Sequence, residues 1–249
     1  MTFMVQLDGA ARWFGSGRTE VVALHPTDLT VGVGELVAVM GPSGSGKTTL
    51  LSLVGGLDRP SRGRVTVAGQ DLGALDPRNL AILRRRSVGY VFQDLNLLSG
   101  LTARENVSLP LELDGQPLAG SRAAATEALA SVGLADLGDR YPDDLSGGEQ
   151  QRVAIARALV GGRKVLLADE PTGALDSITG ESVMRLLRAH CDQGGTGILV
   201  THDAAHAAWA DRVVFLRDGR VVDEAHRAAG LEFQEGLAPV MPPARSARA

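Results

Sequence analysis

The residues from Gly41 to Thr49, GPSGSGKTT, have the types and the spacing that bind a phosphate group. The stretch satisfies the pattern G-x-x-x-x-G-K-[ST], which ends here in Gly46, Lys47 and Thr48. Small residues let the backbone wrap closely around a phosphate, and the amide N–H groups from Gly44 onward can point inward. Lys47 is then placed to reach the β and γ phosphates of a nucleotide, and the Thr48 hydroxyl to ligate Mg²⁺. The predicted nucleotide-binding residues of this loop are Gly41, Pro42, Ser43, Gly44, Ser45, Gly46, Lys47, Thr48 and Thr49.

The segments on either side of this loop support the prediction. The apolar run Leu36–Met40 reads as a buried strand, and residues 48–57 read as a helix. The motif needs this strand–loop–helix setting, because the helix N-terminus adds a favourable dipole at the phosphates. In addition, only two of the 25 basic residues are lysines, so a lysine inside the loop looks selected for its compact ammonium.

A pair of acids follows a second apolar segment. Residues 164–168 read as a buried strand, and Asp169 and Glu170 stand at its carboxyl end. Placing two carboxylates at the end of a buried strand costs free energy, so their presence there indicates a functional role. Asp169 can hold the water shell of a Mg²⁺ ion, and Glu170 can polarise an attacking water, which predicts hydrolysis of a bound phosphate.

Two more polar residues end predicted core strands. Gln93 follows the strand of residues 87–92, and His202 follows the strand of residues 197–201. Ligands of α/β proteins bind in the crevice outside the carboxyl ends of the strands. We therefore expect Gln93, Asp169 and His202 to share one edge of the sheet, with His202 contacting phosphate.

The segment Leu145–Arg152, LSGGEQQR, predicts a second anion site. Ser146 is a suitable N-cap, and Glu149 stands three residues further on, as a capping box requires. The adjacent Gly147 and Gly148 exceed what a capping box needs, so they favour close approach of another backbone or a ligand to the exposed N–H groups.

Three features allow two interpretations each. Phe14 can stack on a purine or cover a hydrophobic cluster beneath a loop. Residues 94–110 are loop-like and apolar, so Leu95, Leu97, Leu98 and Leu101 either contact a partner or pack internally. The run Arg84–Arg86 is more typical of a solvated helix face than of a phosphate or partner contact.

The elements that carry these residues can be placed along the chain. Residues 1–35 predict a small antiparallel sheet. Residues 121–138 predict a helical pattern with a stop at Gly133, and residues 177–192 and 203–211 predict further helices. Residues 213–222 predict a hairpin with an Asp-Gly turn. The residues from about 229 to 249 predict a weakly ordered tail.

Bulk composition excludes several classes. The 249 residues carry a formal net charge of −4, which gives no electrostatic argument for nucleic acid. Cys191 is the single cysteine, so an intramolecular disulfide is excluded and a reducing compartment is expected. We expect no secretory signal, and no apolar run approaches the ~20 residues that span a bilayer, so membrane spans would come from another chain.

The motifs GPSGSGKTT, Gln93, LSGGEQQR, VLLADE, GALD and His202, in this order, resemble the nucleotide-binding subunit of ATP-binding-cassette transporters over about residues 3–225. More narrowly, GGLDRP, VFQDLNLL, LTARENV and LPLEL resemble the cassettes that drive lipoprotein extraction, macrolide export and antimicrobial-peptide efflux.

The resemblance implies roles for individual residues. It favours Phe14 as the aromatic that stacks on adenine, and it makes Gln93 a contact of Mg²⁺ or the lytic water. Asp169 holds Mg²⁺ and Glu170 is the general base. The resemblance also implies that His202 contacts the γ-phosphate and that Asp176 sits at a subunit seam. Ser146, Gly147 and Gly148 are expected to contact the γ-phosphate bound on the opposite subunit.

The resemblance also implies a fold and an assembly. The expected fold is α/β, a P-loop nucleotidase core with a mixed, mostly parallel sheet, an N-terminal antiparallel sub-domain and a helical sub-domain at about 94–160. The ATPase domain is expected over residues 3–228. Two copies then bury two Mg-ATP and drive transmembrane permease subunits on a separate chain, from the cytoplasmic face of a bacterial membrane, to export or extract a peptide, lipid or drug-like cargo.

Two other functions share most of these motifs. One is an ATPase that transmits force through a membrane partner to a cell-wall enzyme or a sensor. The other is a cassette ATPase that acts on nucleic acid or the ribosome. The second is disfavoured because the interval of about fifty residues between Gln93 and Leu145 holds no long heptad pattern.

Overall fold

The computed structural model describes residues 3–173 and 175–226, which form ten strands and seven α-helices. The strands are β1 (Phe3–Phe14), β2 (Val21–Gly32), β3 (Leu36–Met40), β4 (Arg62–Val67), β5 (Gln70–Asp71), β6 (Val88–Val91), β7 (Val165–Asp169), β8 (Thr196–Val200), β9 (Arg212–Arg217) and β10 (Arg220–His226). The helices are α1 (Lys47–Val54), α2 (Pro77–Ser87), α3 (Ala103–Leu113), α4 (Leu118–Ser131), α5 (Gly147–Leu159), α6 (Ser177–Asp192) and α7 (Ala204–Ala207). The predicted tail from residue 229 lies outside the described residues.

The central sheet has six strands in the order β10-β9-β3-β8-β7-β6. Its five strands from β9 to β6 run parallel, and β10 joins β9 in antiparallel register through a hairpin. This confirms the predicted mixed, mostly parallel sheet. Because β6, β7 and β8 are parallel neighbours, the residues that follow them emerge at the same edge.

The N-terminal part forms a separate four-stranded antiparallel sheet in the order β2-β1-β4-β5, as predicted. The short apolar segments of the sequence belong to two strands of 12 residues each. Turn residues inside these strands break the apolar alternation without ending the strands. Gly9, for example, has φ +55° and lies where the β1 pairing shifts register.

Two hydrophobic clusters cover opposite faces of the central sheet. Val37 and Val39 of β3 face the cluster shared with α1 and the antiparallel sheet. Leu36 and Ala38 of the same strand face the cluster shared with helices α3 to α6. This period-two alternation within an entirely apolar strand is what a sheet covered on both faces requires. The core therefore fixes the sheet edge that carries the polar residues.

The prediction of loop structure throughout residues 94–110 is wrong, because α3 begins at Ala103. Thr102 and Glu105 form a capping box at its start, with each side chain accepting a hydrogen bond from the other residue's backbone N–H. Pro110 lies inside this helix, and its presence disguised the helical pattern.

Other helix bounds also differ from the predictions. The first helix was predicted at residues 48–57. It begins one residue earlier and ends three residues earlier, since α1 is Lys47–Val54. The helical pattern predicted at 121–138 is α4, which starts three residues earlier at Leu118 and ends at Ser131, in agreement with the predicted stop at Gly133. The helix predicted at 203–211 is only the single turn α7, whereas α6 matches its predicted range of 177–192. Within the described ranges, no helix combines the length and apolarity needed to span a membrane.

Candidate functional site

The loop between β3 and α1 depends on glycine for its shape. Gly41, Gly44 and Gly46 have φ values of +153°, +79° and +100°. A Cβ at Gly41 would lie 2.1 Å from the Leu216 carbonyl oxygen. A Cβ at Gly46 would lie 2.4 Å from the Ala23 carbonyl oxygen. Glycine is required at these two positions both by backbone conformation and by close approach of neighbouring strands.

Lys47 opens α1 and folds back over the loop. Its Nζ donates hydrogen bonds to the carbonyl oxygens of Gly41 at 2.7 Å and Pro42 at 2.9 Å. Both partners are neutral, and no ion pair of Lys47 with a carboxylate occurs in the described part of the chain. Its positive charge therefore remains available to an anion held by the loop.

Asp169 ends β7 beside this loop. Its Oδ2 accepts a hydrogen bond of 2.9 Å from Thr48 Oγ1. Burial raises the pKa of Asp169 above its usual value, and the nearby charge of Glu170 raises it further, while the Thr48 hydrogen bond lowers it. Two residues 121 positions apart in sequence thus place a hydroxyl and a carboxylate oxygen side by side, which is the ligand chemistry that hard cations prefer.

Glu170 follows in the left-handed conformation, with φ +48°. Its N–H donates to the Val200 carbonyl oxygen at 3.0 Å, which ties the turn to β8. Its Oε1 lies 2.9 Å from Nδ1 of His202, which follows β8. The hydrogen bond to Glu170 raises the pKa of His202, and the carboxylate charge adds to this effect. A carboxylate and an imidazole that follow neighbouring strands are therefore coupled by a hydrogen bond.

These residues surround a cavity of about 730 Å³. It joins the glycine loop and the start of α1 to the carboxyl ends of the parallel strands. Its lining consists of Ala23, Gly41, Pro42, Ser43, Gly44, Gly46, Lys47, Thr48, Thr49, Gln93, Asp94, Gln151, Asp169, Glu170, Gly173, Val200 and His202. The arrangement provides backbone donors, one ammonium group and several acids around one space, which suits a phosphorylated ligand.

The segment after Gln93 is held in an unusual conformation. Leu95 and Asn96 both have left-handed backbones, with φ +59° and +49°. Arg157 of α5 donates from Nη2 to the Leu95 carbonyl oxygen at 2.5 Å and from Nη1 to that of Asn96 at 2.6 Å. The strained pair is thereby fixed to α5.

Asn106 of α3 fixes the other end of this segment. The side chain is fully buried, and its Oδ1 accepts from Leu98 N–H at 2.8 Å. Its Nδ2 lies 3.0 Å from the carbonyl oxygens of Leu98, Leu101 and Thr102. Gln93 therefore begins a loop whose backbone is held from two helices.

The LSGGEQQR segment begins α5 at an exposed capping box. The Glu149 carboxylate accepts from Ser146 N–H at 2.7 Å, and Ser146 Oγ accepts from Glu149 N–H at 3.3 Å. The first of these bonds lowers the pKa of Glu149. No atom lies within 4 Å of a Cβ built on Gly147, so packing within the described chain does not require glycine there.

Phe14 lies at the end of β1 with 45% of its surface exposed. The guanidinium carbon of Arg12 lies 4.4 Å from the centroid of its ring, within the range of a cation–π contact. Arg12 is in turn paired with Asp58 at 2.7 Å. The ring is thus positioned from one side while it stays accessible.

Comparison with known proteins identifies this architecture. The family model of the ABC transporter matches residues 24–173, which is more than half of the chain. The chain belongs to the ABC transporter family. It is an ATP-binding cassette of the ABC ATPase class.

Solved ABC cassettes share the fold of the whole domain. The dimeric post-hydrolysis structure of the ATP-binding cassette MJ0796 with ADP and Pi is 41% identical, with a TM-score of 0.85. The alignment covers 90% of this chain and 98% of that one. This confirms the predicted α/β nucleotidase fold.

Curated relatives confirm the narrower resemblance to macrolide-export cassettes. The chain is 49% identical over 221 residues to the macrolide export ATP-binding/permease protein MacB of Azoarcus sp. strain BH72, covering 89% of this chain and 34% of that protein. It is 47% identical over 230 residues to MacB of Hyphomonas neptunium, covering 92% and 36%. The chain therefore spans about a third of the length of these relatives.

Most of the predicted site residues of this ABC cassette meet at the cavity. These are Gly41, Pro42, Ser43, Gly44, Gly46, Lys47, Thr48, Thr49, Gln93, Asp169, Glu170 and His202. Gln93, Asp169 and His202 do share one sheet edge. Ser45 is buried and does not line the cavity, and its Oγ has no hydrogen-bond partner among the described residues. Phe14, Ser146, Gly147 and Gly148 also lie outside the lining.

Five lining residues were not predicted from the sequence: Ala23, Asp94, Gln151, Gly173 and Val200. Asp94 and Gly173 adjoin predicted site residues, so proximity in sequence could have identified them. Ala23 contributes from the antiparallel sheet, and only the packing of the two sheets brings it to the loop. Gln151 belongs to the LSGGEQQR segment. The residues of this segment that the sequence predicted for the site are Ser146, Gly147 and Gly148, and these do not line the cavity.

The features with two interpretations have mixed outcomes. Leu97 packs against the core, as the internal-packing interpretation expects. Leu98 is 49% exposed, and a partner contact there stays a prediction. Arg86 pairs with Asp114 at 2.8 Å at an exposed position, as expected of a solvated helix face. Arg84 is instead part-buried and donates to the Gly56 carbonyl oxygen at 2.8 Å, so the expectation holds for only part of the run. Asp176 caps α6 through hydrogen bonds from Ile178 and Thr179. Its location at a subunit seam stays a prediction.

Proposed function

We propose that this cassette is the ATP-hydrolysing subunit of a membrane export system, in which two copies close around two Mg-ATP and drive transmembrane permease subunits. The similar proteins are named macrolide export ATP-binding/permease proteins, and this chain spans about a third of their length. The transported cargo belongs to the class of peptides, lipids or drug-like compounds. The subunit acts peripherally at the cytoplasmic face of the membrane, with no nucleic acid partner.

One observation carries the dimer proposal. The cavity contains the glycine loop, Asp169, Glu170 and His202, but Ser146 and the two glycines after it do not line it. They form a helix start, and the first backbone N–H groups of a helix suit an anion. A second copy related by a two-fold axis would place this helix start over the nucleotide of its partner. The solved cassette MJ0796 is itself a dimer.

The residues present also fit a magnesium ion. The described residues contain no cluster of three or more His, Cys, Asp or Glu side chains that would hold a metal alone. Mg²⁺ at nucleotides typically takes one or two protein oxygens together with phosphate oxygens and water. Thr48 and Asp169, whose oxygens lie 2.9 Å apart, would supply those protein ligands, with Gln93 at the same edge. When bound, Mg²⁺ neutralises charge on the phosphate oxygens.

The chain's own residues then carry the hydrolysis. Glu170 acts as the general base that orients the attacking water and accepts its proton. His202, hydrogen-bonded to Glu170, positions that carboxylate and contacts the γ-phosphate. Lys47 leaves the carbonyl oxygens of the loop and neutralises the β and γ phosphates. Removal of the γ-phosphate ends the contact with the partner's Ser146, so the dimer reopens.

The domain arrangement supports transmission to a permease. We infer an ATPase domain at residues 3–228, with a helical sub-domain at about 94–160 and a weakly ordered tail at 229–249. The sub-domain contains α3, α4 and α5, and the loop after Gln93 joins it to the ATP cavity. This loop, with Leu98 exposed, is the segment on which the permease acts.

The substitution Glu170→Gln tests the proposed function. The amide keeps the shape of the side chain but cannot accept the proton, so we expect ATP turnover to fall at least a hundredfold while ATP still binds. Turnover is measured with purified protein, and binding by calorimetry. Glu127→Gln, on the exposed face of α4, is the matched control. Unchanged turnover in Glu170→Gln would contradict the assignment of the base.

A further inference from the structure

Gln151 is a buried polar residue at the ATP cavity whose role the preceding mechanism does not explain. It lies in the first turns of α5, is 2% exposed and lines the cavity together with Asp169 and Glu170 of the same chain. Its Nε2 is buried and has no hydrogen-bond partner among the described residues. Buried amides are normally paired, so an amide donor at a phosphate-binding cavity points to a ligand.

The neighbouring Gln150 differs from Gln151, so the unpartnered amide belongs to position 151 and is not shared by the glutamines of α5. Gln150 Nε2 donates to the carbonyl oxygens of Pro142 at 2.9 Å and Leu145 at 3.1 Å, and the residue does not line the cavity. One glutamine of the pair thus stabilises the turn before α5, and the other faces the ATP site. The two residues form a natural matched pair.

Hydrogen bonds at both ends hold helix α5, from which Gln151 reaches the cavity. The capping box fixes its start, and Arg157 ties its last turns to the loop after Gln93. The buried Arg163 beyond it donates to the carbonyl oxygens of Arg157 at 2.5 Å and Ala158 at 3.0 Å. The position of Gln151 relative to the cavity is therefore set by the fold.

We propose that Gln151 binds the phosphate end of the Mg-nucleotide held by its own chain. This proposal rests on the proposed function above. The cavity already contains Asp94, Asp169 and Glu170 against Lys47, so a neutral amide can approach phosphate oxygens without adding repulsion. Helix α5 consequently borders two nucleotides: Gln151 contacts that of its own chain, and Ser146 contacts that of the partner. Opening at one site is transmitted to the other through one helix.

The affinity of the monomer for Mg-ATP tests this proposal, because a dilute monomer reports only contacts within one chain. We expect Gln151→Met, which keeps the side chain's length but removes its hydrogen-bonding groups, to weaken binding about three- to tenfold in calorimetry. Gln151→Glu should weaken it more, since it adds a carboxylate beside the phosphates. Gln193→Met, at an exposed position after α6, is the control and should match the wild type. Unchanged affinity in both Gln151 variants would overturn the proposal.

A second measurement uses the wild-type protein and so does not depend on the folding of a variant. We expect the side-chain amide signal of Gln151 in ¹⁵N–¹H spectra to shift when Mg-ATP is added to the monomer, while that of Gln150 stays in place. A shift of neither signal, or of Gln150 alone, would contradict the proposal.

A further variant distinguishes a failure of the proposed function from a failure of the proposal about Gln151. Ser146→Arg should prevent ATP-dependent dimerisation, because it places a bulky side chain at the proposed contact with the partner's nucleotide. If Ser146→Arg dimerises normally while Gln151→Met binds ATP weakly, the dimer model fails and the role of Gln151 stands.

Discussion

At the scale of residues, the site depends on two pairs of side chains, and the members of each pair come from different elements. Thr48 of α1 donates to Asp169 of β7, and Glu170 contacts His202 after β8. Each contact involves a carboxylate, and a hydrogen bond to an ionised group is stronger than one between two neutral groups. Because each pair spans two elements, the acids stay in position before any ligand arrives.

Lys47→Ala should weaken ATP binding because it removes the one ammonium that lines the described cavity. The loss of charge-assisted hydrogen bonds to phosphate corresponds to about 1.5–3 kcal/mol, or roughly ten- to a hundredfold in affinity. The second lysine offers a matched control, since Lys164 is exposed and precedes β7 at the opposite end of that strand. Calorimetry that finds equal ATP affinities for the two variants would count against the phosphate-binding role.

The contact between Glu170 and His202 predicts a titration that can be measured directly. Because the carboxylate raises the pKa of His202 above 6.5, the proton is bound more tightly in the folded state. The contact's contribution to stability is thus present below pH 6.5 and is lost as the pH rises through the raised value. NMR titration should find a lower pKa of His202 in Glu170→Gln and no change in Glu127→Gln. An equal pKa in all three proteins would show that the hydrogen bond is absent in solution.

At the scale of elements, the loop after Gln93 is defined by side chains and not by repeating backbone structure. Arg157 holds the left-handed Leu95 and Asn96, and Asn106 satisfies the backbone of Leu98. Both anchors come from helices of the region that we assign to the helical sub-domain. A movement of that region would therefore displace Gln93 relative to the acids.

Asn106→Leu should destabilise the protein because it leaves the N–H and the carbonyl oxygen of Leu98 without their buried partner. We expect the free energy of unfolding to fall by about 1–3 kcal/mol in urea titrations. Asn79→Ala, which removes an exposed hydrogen bond to Asp76, should change it by less than about 0.5 kcal/mol. Equal effects of the two substitutions would mean that Asn106 does not anchor the loop.

Local chemistry explains which elements the sequence predicted well. The strands β3 and β7 are largely apolar runs, and β8 ends in Ile-Leu-Val. The polar residues Asp169, at the end of β7, and His202, just after β8, mark the site edge. Helix α3 was missed because Pro110 outweighed the capping box of Thr102 and Glu105. The position of Gln151 could not be derived at all, since it depends on how α5 packs beneath the cavity and not on any local pattern.

At the scale of the whole molecule, the two sheets and the helical layer together form the cavity. The antiparallel sheet brings Ala23 against the glycine loop, and the parallel sheet brings Gln93, Asp169 and His202 to one edge. The capped start of α5, from Ser146 to Gly148, does not line that cavity. We therefore interpret the chain as half of two composite ATP sites.

Sedimentation of Glu170→Gln with and without Mg-ATP tests this interpretation most directly. Without hydrolysis the γ-phosphate contact persists, so we predict a monomer in the absence of nucleotide and a dimer in its presence. The double variant that also carries Ser146→Arg should stay monomeric at the same ATP concentration. A Glu170→Gln protein that remains monomeric with bound Mg-ATP, together with a wild-type turnover per subunit that does not depend on protein concentration, would contradict the account.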